Sequence, residues 1–162
     1  MRHSRLIPLV AVAHGSKDPR AAATVTSLVE AVRTRAPGVD VRAAFLDHCA
    51  PSLPQVLASL APDEADEADT PQACVALPLL LTAAYHSKAD IPAQLAASTA
   101  SRPGLDVVAA GTLGPHPLLV AALERRLAEA GAGVDSGRER AATGVVLAAA
   151  GSSDPSANAT IA

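Results

Sequence analysis

Four of the five histidines in this 162-residue chain follow predicted strands, where their imidazoles could do chemistry. His14 comes directly after an apolar run, and three more apolar runs are followed by His48, His86 and His116. A neutral imidazole binds borderline divalent metals and accepts a proton near neutral pH. This spacing therefore indicates metal or proton chemistry, with His3 outside the set.

The residues after the first apolar run predict a strand, a loop and then a helix. Residues 14–16 read His-Gly-Ser, and Asp18 and Pro19 open an alanine-rich helical pattern. Asp is a favoured N-cap, and Pro is tolerated at the first helical position, where its missing N–H costs nothing. Ligands bind at such strand-to-helix loops in α/β sheets, and free N–H groups there favour anions.

Strand and helix patterns alternate along the chain. Strands are predicted at residues 6–13, 39–46, 73–81 and 105–110, and helices at residues 19–35, 51–60, 90–100 and 118–130. This alternation predicts a Rossmann-like α/β fold, a parallel four-stranded sheet with helices on both faces. The carboxyl ends of parallel strands share one edge, so the four histidine loops should emerge together. The acidic residues 62–71 are predicted to form a solvated linker.

A short motif is repeated near the end of the chain. Residues 151–155 (GSSDP) follow residues 15–19 (GSKDP) at a spacing of 136, and Ala150 stands in the place of His14. The repeat predicts an N-terminal α/β domain at residues 1–131, a linker at 132–143 and the truncated start of a second copy, a strand and a helix, at 144–162. Histidine chemistry would then belong to the first copy.

The composition excludes several classes of function. Hydrophobic residues make up 49% of the chain and charged residues 18%, which is typical of a globular protein. One Phe, one Tyr and a net charge of −3 argue against nucleic-acid binding. No apolar run has the length of a membrane span. Cys49 and Cys74 have no metal-type spacing and are predicted to be small core residues in a reducing cytoplasm.

Four segments together carry a family resemblance. They are the strand ending in His-Gly-Ser, FLDHCAPSLPQVL at residues 45–57, PLLLTAAYHSKADIP at 78–92 and GTLGPHPLL at 111–119. In this order they resemble the sirohydrochlorin chelatases, class II chelatases that insert cobalt or iron into a tetrapyrrole. The resemblance covers residues 9–162 and implies a Rossmann-like parallel sheet. Longer members of that family join two such halves, and small archaeal members dimerise.

The resemblance also implies the roles of particular residues. His14 and His86 would be the catalytic pair that holds the metal, with His48 as a further metal ligand at a position where relatives often carry an acidic residue. The metal, Co²⁺, Fe²⁺ or Ni²⁺, would be a substrate, with no tightly bound cofactor. The chemistry of the residues themselves, rather than the resemblance, suggests what would contact the carboxylates of sirohydrochlorin. The candidates are the backbone N–H groups of Gly15 and Ser16, the cations Lys17, Arg20 and Lys88, and also Tyr85 and His116.

Two other functions remain open at this point. A metal or tetrapyrrole carrier would bind the same ligands without turnover. A hydrolase could use His-Gly-Ser at a strand end, although the chain has no G-x-S-x-G nucleophile elbow. The sequence also leaves open which metal is used, and therefore whether the product leads to cobalamin or siroheme. The cleft could be completed by a homodimer partner or by a C-terminal half.

Overall fold

The computed structural model describes residues 7–60, 72–83, 86–102, 104–132, 141–149 and 151–159. The chain divides into two compact units, Met1–Leu113 and Gly114–Ala162. The first unit contains β1 (Leu9–Ala13), α1 (Pro19–Arg35), β2 (Val41–Phe45), α2 (Leu53–Leu60), β3 (Gln72–Pro78), a π-helical turn (His86–Asp90), α3 (Ile91–Ala100) and β4 (Leu105–Ala109). The second contains α4 (Pro117–Leu127), a π-helical turn (Ala128–Ala132) and α5 (Pro155–Ala159).

The four strands form one parallel sheet in the order β2-β1-β3-β4. The inner strand β1 is a continuous apolar run, and so is β3 after Gln72, as expected for strands covered on both faces. Ala13 at the end of β1 is opposite Phe45 of β2, and Val12 is opposite Pro78 of β3. The loops that follow these three strands therefore start side by side, and the predicted fold class is confirmed.

Helices of the first unit cover both faces of the sheet. On one face, Val10 and Val12 pack in a large cluster with residues of α2 and α3, including Leu57 and Ile91. On the other face, Ala11 and Val41 pack against Val29 of α1. Alternate residues of β1 thus enter opposite cores, which follows from the two-residue period of a strand.

Local sequence determines where α1 and α2 begin. Asp18 caps α1, since its carboxylate accepts from the Arg20 amide at 3.0 Å, as the sequence predicts. Ser52 and Gln55 form a reciprocal capping box at α2. The Gln55 side chain accepts from the Ser52 amide at 2.8 Å, and the Ser52 hydroxyl accepts from the Gln55 amide at 3.4 Å.

The start of α3 differs from the prediction. Residues 82–88 were expected to form a loop with the helix starting at Asp90, but the π-helical turn already begins at His86. Asp90 is itself helical and makes no side-chain capping bond. An Asp two residues before a Pro is typical of a helix N-cap. Here the π-helical turn precedes Asp90, so the chain is already helical at that residue and Asp90 does not act as the cap. The predicted strands were also one to three residues too long, since β1 begins at Leu9 and β3 ends at Pro78.

The expected strand of the second copy is not formed. Residues 143–149 are not part of any strand, and Val146 is 92% exposed, whereas the following helix α5 does form. A strand is stabilised by hydrogen bonds to neighbouring strands, and residues 144–149 have none in the described part of the chain. The predicted acidic linker at residues 62–71 lies outside the described residues. Among the described helices, none combines the length and apolarity needed to span a membrane.

Candidate functional site

His14 is the first residue after β1, at the carboxyl edge of the sheet, and it is half-buried. Its Nδ1 lies 3.1 Å from the carbonyl oxygen of Gly15. A carbonyl can only accept, so Nδ1 carries the proton in this bond. The unprotonated nitrogen of the neutral ring is then Nε2. This tautomer is the one in which a histidine presents Nε2 to a metal while its other nitrogen is held by the main chain.

Gly15 is required by the contact between two loops. Its φ is +91°, and a Cβ at this position would lie only 1.8 Å from the carbonyl oxygen of Asp47. The loop after β2 is hydrogen-bonded here as well, because the Asp47 amide donates to the His14 carbonyl at 2.9 Å. The thiol of Cys49 donates to the Ser16 carbonyl at 3.2 Å. The loops after β1 and β2 therefore form one connected structure.

His48 occupies a tight turn in this structure. Its φ is +61°, and the Cys49 amide donates to the Asp47 carbonyl at 2.7 Å, so the three residues form a γ-turn. The Asp47 carboxylate accepts from the His48 amide at 2.7 Å, and its other oxygen lies 3.4 Å from His48 Nε2. Positive φ is uncommon for a residue other than glycine, and such strain concentrates at functional sites. His48 is thus held beside the His14 loop with a carboxylate against its ring.

The charged residues at the start of α1 form an ion pair. The guanidinium of Arg20 donates to both carboxylate oxygens of Asp18. The Arg20 side chain, followed by the Arg20 amide, lowers the pKa of Asp18 below its ordinary value, and Asp18 raises the pKa of Arg20. Both groups therefore stay charged at neutral pH, and the Arg20 side chain, although 89% exposed, pairs with Asp18 beside the loop. Lys17, the neighbouring cation, is exposed.

His86 follows β3, whose end is adjacent to the end of β1. It is the first residue of the π-helical turn, and its side chain lies outside what the structure describes, as does the whole of Tyr85. Lys88, on the same turn, is exposed. The pairing of His14 with His86 therefore stays a prediction. The structure shows that the loops carrying these two histidines begin at neighbouring strands, β1 and β3.

His116 belongs to the second unit, where it caps α4. Its Nδ1 accepts from the Leu118 amide at 3.2 Å, so Nε2 carries the proton of the neutral ring. This is the opposite tautomer to that of His14, and it makes Nε2 a hydrogen-bond donor rather than a metal ligand. An open cavity of about 430 Å³ is lined by His116 together with Glu124 and neighbouring residues of α4. The geometry agrees with a contact to an anion and also with a purely structural cap.

The two cysteines are free thiols in different surroundings. Cys74 is buried in the core, and burial, followed by the charge of Asp106, raises the pKa of its thiol. This agrees with the prediction of a small core residue. Cys49 is instead half-buried in the loop beside Ser16. Within the described ranges, no group of three or more His, Cys, Asp or Glu side chains is close enough to hold a metal ion.

Two residues of this site were not predicted from the sequence as functional. Asp47 contacts His14, Gly15 and His48, and Cys49 contacts Ser16. Their only signal in the sequence is their position, directly after a predicted strand and on either side of His48. Their contacts depend on β2 lying beside β1, which the sequence pattern does not specify.

Comparisons with known proteins identify the family and support the fold. The sequence model of the CbiX family matches residues 8–130. No curated protein matches the chain. A CbiX protein described under cobalamin (vitamin B12) biosynthesis, from Marinobacter aquaeolei VT8, has a similar structure, with a TM-score of 0.59 and 24% identity over 76% of this chain and 95% of its own.

Two solved structures of SirB have the same fold. The sirohydrochlorin chelatase SirB from Bacillus subtilis subspecies spizizenii, in complex with cobalt, has a TM-score of 0.63 and 22% identity, covering 76% of this chain and 50% of its own. SirB from Bacillus subtilis with Fe³⁺ has a TM-score of 0.64 and 20% identity, covering 78% and 48%. This chain thus spans about half the length of each SirB chain. With the family match over most of its length, the chain belongs to the CbiX family.

Proposed function

We propose that this chain is a sirohydrochlorin chelatase, which inserts a divalent metal, cobalt or iron, into the tetrapyrrole. The observation that carries the proposal is the state of His14. Its imidazole stands at the carboxyl edge of the sheet, and its Nδ1 donates to the Gly15 carbonyl, which places the lone pair of the neutral ring on Nε2, the nitrogen that would bind the metal in this proposal. Membership of the CbiX family supports the same reaction.

Insertion exchanges the metal's water for four pyrrole nitrogens and releases two N–H protons from the macrocycle. In the proposed mechanism, His14 and His86 are the catalytic residues that hold the incoming metal, and His48 is a further ligand. A site with two or three imidazoles keeps coordination positions open, unlike a closed four-ligand structural site. The metal can therefore pass to the tetrapyrrole. The imidazole that releases the metal can then accept one of the protons lost from the pyrrole N–H groups.

The substrate's carboxylates are the second part of the proposal. We assign them to the amides of Gly15 and Ser16, to the exposed cations Lys17 and Lys88, and to Tyr85, Arg20 and His116. The guanidinium of Arg20 already donates to the Asp18 carboxylate, so only its remaining N–H groups could bind a carboxylate of the substrate. His116 is proposed as a donor through Nε2, as its cap geometry requires.

A second unit of the same fold completes the cleft in this proposal, either from a homodimer partner or from a C-terminal half. The support is the repeated Gly-Ser-x-Asp-Pro loop, since residues 151–155 repeat residues 15–19. The proposed domains are those predicted from the repeat, residues 1–131 and 144–162 joined by 132–143. We place the reaction in the cytoplasm, because the two cysteines are free thiols.

The test follows the visible spectrum of sirohydrochlorin with Co²⁺, and with Fe²⁺ or Ni²⁺ in the absence of oxygen. We expect the protein to accelerate the shift to the metallated spectrum. His14→Ala and His86→Ala should each abolish most of the acceleration, because each removes a metal ligand. His3→Ala, which changes a histidine outside the loop set, is the matched control and should retain the wild-type rate.

The possible results separate the competing functions. Pigment binding with metallation at the rate of the free reaction would indicate a carrier. Absence of both binding and acceleration would contradict the proposal. The rates with the three metals would show which of them this chain inserts fastest.

A further inference from the structure

The two copies of the Gly-Ser-x-Asp-Pro loop fold in the same way. In the first, the Asp18 amide donates to the Ser16 hydroxyl at 3.1 Å. In the second, the Asp154 amide donates to the Ser152 hydroxyl, also at 3.1 Å. The glycine that opens each loop has a positive φ, +91° and +76°. The repeat in the sequence is therefore a repeat of conformation.

The loops differ in what contacts the main chain of the serine. The Ser152 amide donates to the Asn158 side-chain oxygen at 2.8 Å, and the Asn158 side-chain amide donates back to the Ser152 carbonyl at 2.7 Å. In the first loop, the Ser16 carbonyl accepts from the Cys49 thiol. Within the residues that the structure describes, no acceptor is hydrogen-bonded to the Ser16 amide.

The difference is explained by one position. Asn158 lies 136 residues after Ala22, so an asparagine in the second copy corresponds to a methyl group in the first. The side chain of Ala22 has no polar atom that could form a hydrogen bond with the loop. The second loop thus already holds an oxygen on its serine amide, which shows that this backbone conformation accommodates an oxygen acceptor there.

We infer that Asn158 closes the second loop from within, whereas Ala22 leaves the Ser16 amide available to a carboxylate of the substrate. Ala22 is then a specificity-determining position, because its small side chain keeps the acceptor site of the first loop unoccupied. The inference rests on the proposed function for the identity of the carboxylate ligand. A carboxylate could bind the Ser152 amide only after the existing hydrogen bond to Asn158 is broken. The free energy lost with that bond would offset the free energy gained from the new one.

The first test places the closing side chain into the open loop. Ala22→Asn should weaken sirohydrochlorin binding about tenfold, seen in KM, with kcat nearly unchanged, since it removes one charge-assisted hydrogen bond. Ala23→Asn is the matched control, because Ala23 is the next residue of α1 and is exposed. It makes the same chemical change and should leave KM at the wild-type value. Equal KM values for the two variants would overturn the inference.

The second test does not depend on chelatase activity. The full chain, labelled with ¹⁵N, is titrated with benzenehexacarboxylate as a polycarboxylate probe, and the Ser16 and Ser152 amide signals are followed by NMR. We expect the Ser16 signal to shift in the wild type and not in Ala22→Asn. The Ser152 signal should shift only in Asn158→Ala, which opens the second loop. The same spectra show that each variant is folded.

The two tests separate the inference from the proposed function. If the wild type does not metallate sirohydrochlorin but the Ser16 amide signal still shifts with the probe as described, the proposed substrate is wrong. The inference that the Ser16 amide is available to a carboxylate is then still supported. A Ser152 shift in the wild type, or an unresponsive Ser16 amide, would overturn the inference whatever the enzyme activity.

Discussion

At the scale of residues, main-chain groups hold the tautomers of two of the candidate histidines. The Gly15 carbonyl selects the tautomer of His14, and the Leu118 amide selects the opposite tautomer of His116. Two histidines of the same predicted set therefore have opposite tautomers: Nε2 of the neutral ring is unprotonated in His14 and carries the proton in His116. The direct approach of the Asp47 carbonyl to Gly15 joins the His14 loop to the His48 loop.

Gly15→Ala tests that approach. A Cβ at Gly15 would overlap the Asp47 carbonyl, and φ of +91° is unfavourable for alanine, so the two loops must separate. We expect a loss of more than about 2 kcal/mol in the free energy of unfolding. The measurement is urea unfolding followed by far-UV circular dichroism, since the chain has no tryptophan.

Gly38→Ala is the matched control, because a Cβ there would meet nothing within 4 Å. It should change the free energy of unfolding by less than about 0.5 kcal/mol. A Gly15→Ala protein as stable as Gly38→Ala would show that the loops do not approach each other as described.

At the scale of elements, the fold depends on amphipathic helices laid on an apolar sheet. The buried residues of α2 follow the three- and four-residue spacing of one helix face, and they are Leu53, Val56, Leu57 and Leu60. They enter the same core as alternate residues of β1. This face therefore anchors α2 to the core, and α2 directly follows the loop that carries His48, so its packing supports the site indirectly.

Leu57→Ala should reduce the free energy of unfolding by about 2–5 kcal/mol, because it removes a side chain that is 0% exposed and leaves a cavity. Leu28→Ala, on α1, makes the same substitution at a side chain that is 45% exposed and should cost much less. Urea unfolding of both variants provides the comparison. Similar losses for the two would argue against the burial of α2.

At the scale of the whole molecule, the two copies of the repeat differ in whether the residues before the loop form a strand. Residues 9–13 form an inner strand, whereas residues 145–149, equally apolar, are exposed and have no strand partner in the described part of the chain. The loops that follow them nevertheless share their hydrogen bonds. Loop conformation is therefore a local property here, and strand formation is not.

Hydrogen exchange measured by mass spectrometry tests this difference directly. Amides of residues 9–13 should exchange at least about 1,000-fold more slowly than unprotected amides, because their exposure requires global unfolding. Amides of residues 145–149 should exchange at nearly the unprotected rate. Protection of residues 145–149 that increases with protein concentration would instead show that this segment pairs with another copy of the chain.

The sequence by itself determined those features that depend on neighbours along the chain. Periodicity predicted the alternation of strands and helices, and the Asp18 cap followed from residue type and spacing. The repeat was visible as an identical spacing of Gly, Ser, Asp and Pro. The sequence also placed His14 and His48 directly after predicted strands, and in the structure they follow β1 and β2 at the carboxyl edge of the sheet, because parallel strands end on the same side.

The tertiary structure alone decided the features that depend on neighbours in space. The contacts of Asp47 and Cys49 exist because β2 lies beside β1, and the π-helical turn before α3 replaces the cap expected at Asp90. Residues 145–149 have a strand-like sequence but pair with no strand among the described residues, and Asn158 reaches back six residues to Ser152. Pairing and packing require two segments to meet, and a pattern within one segment does not specify its partner.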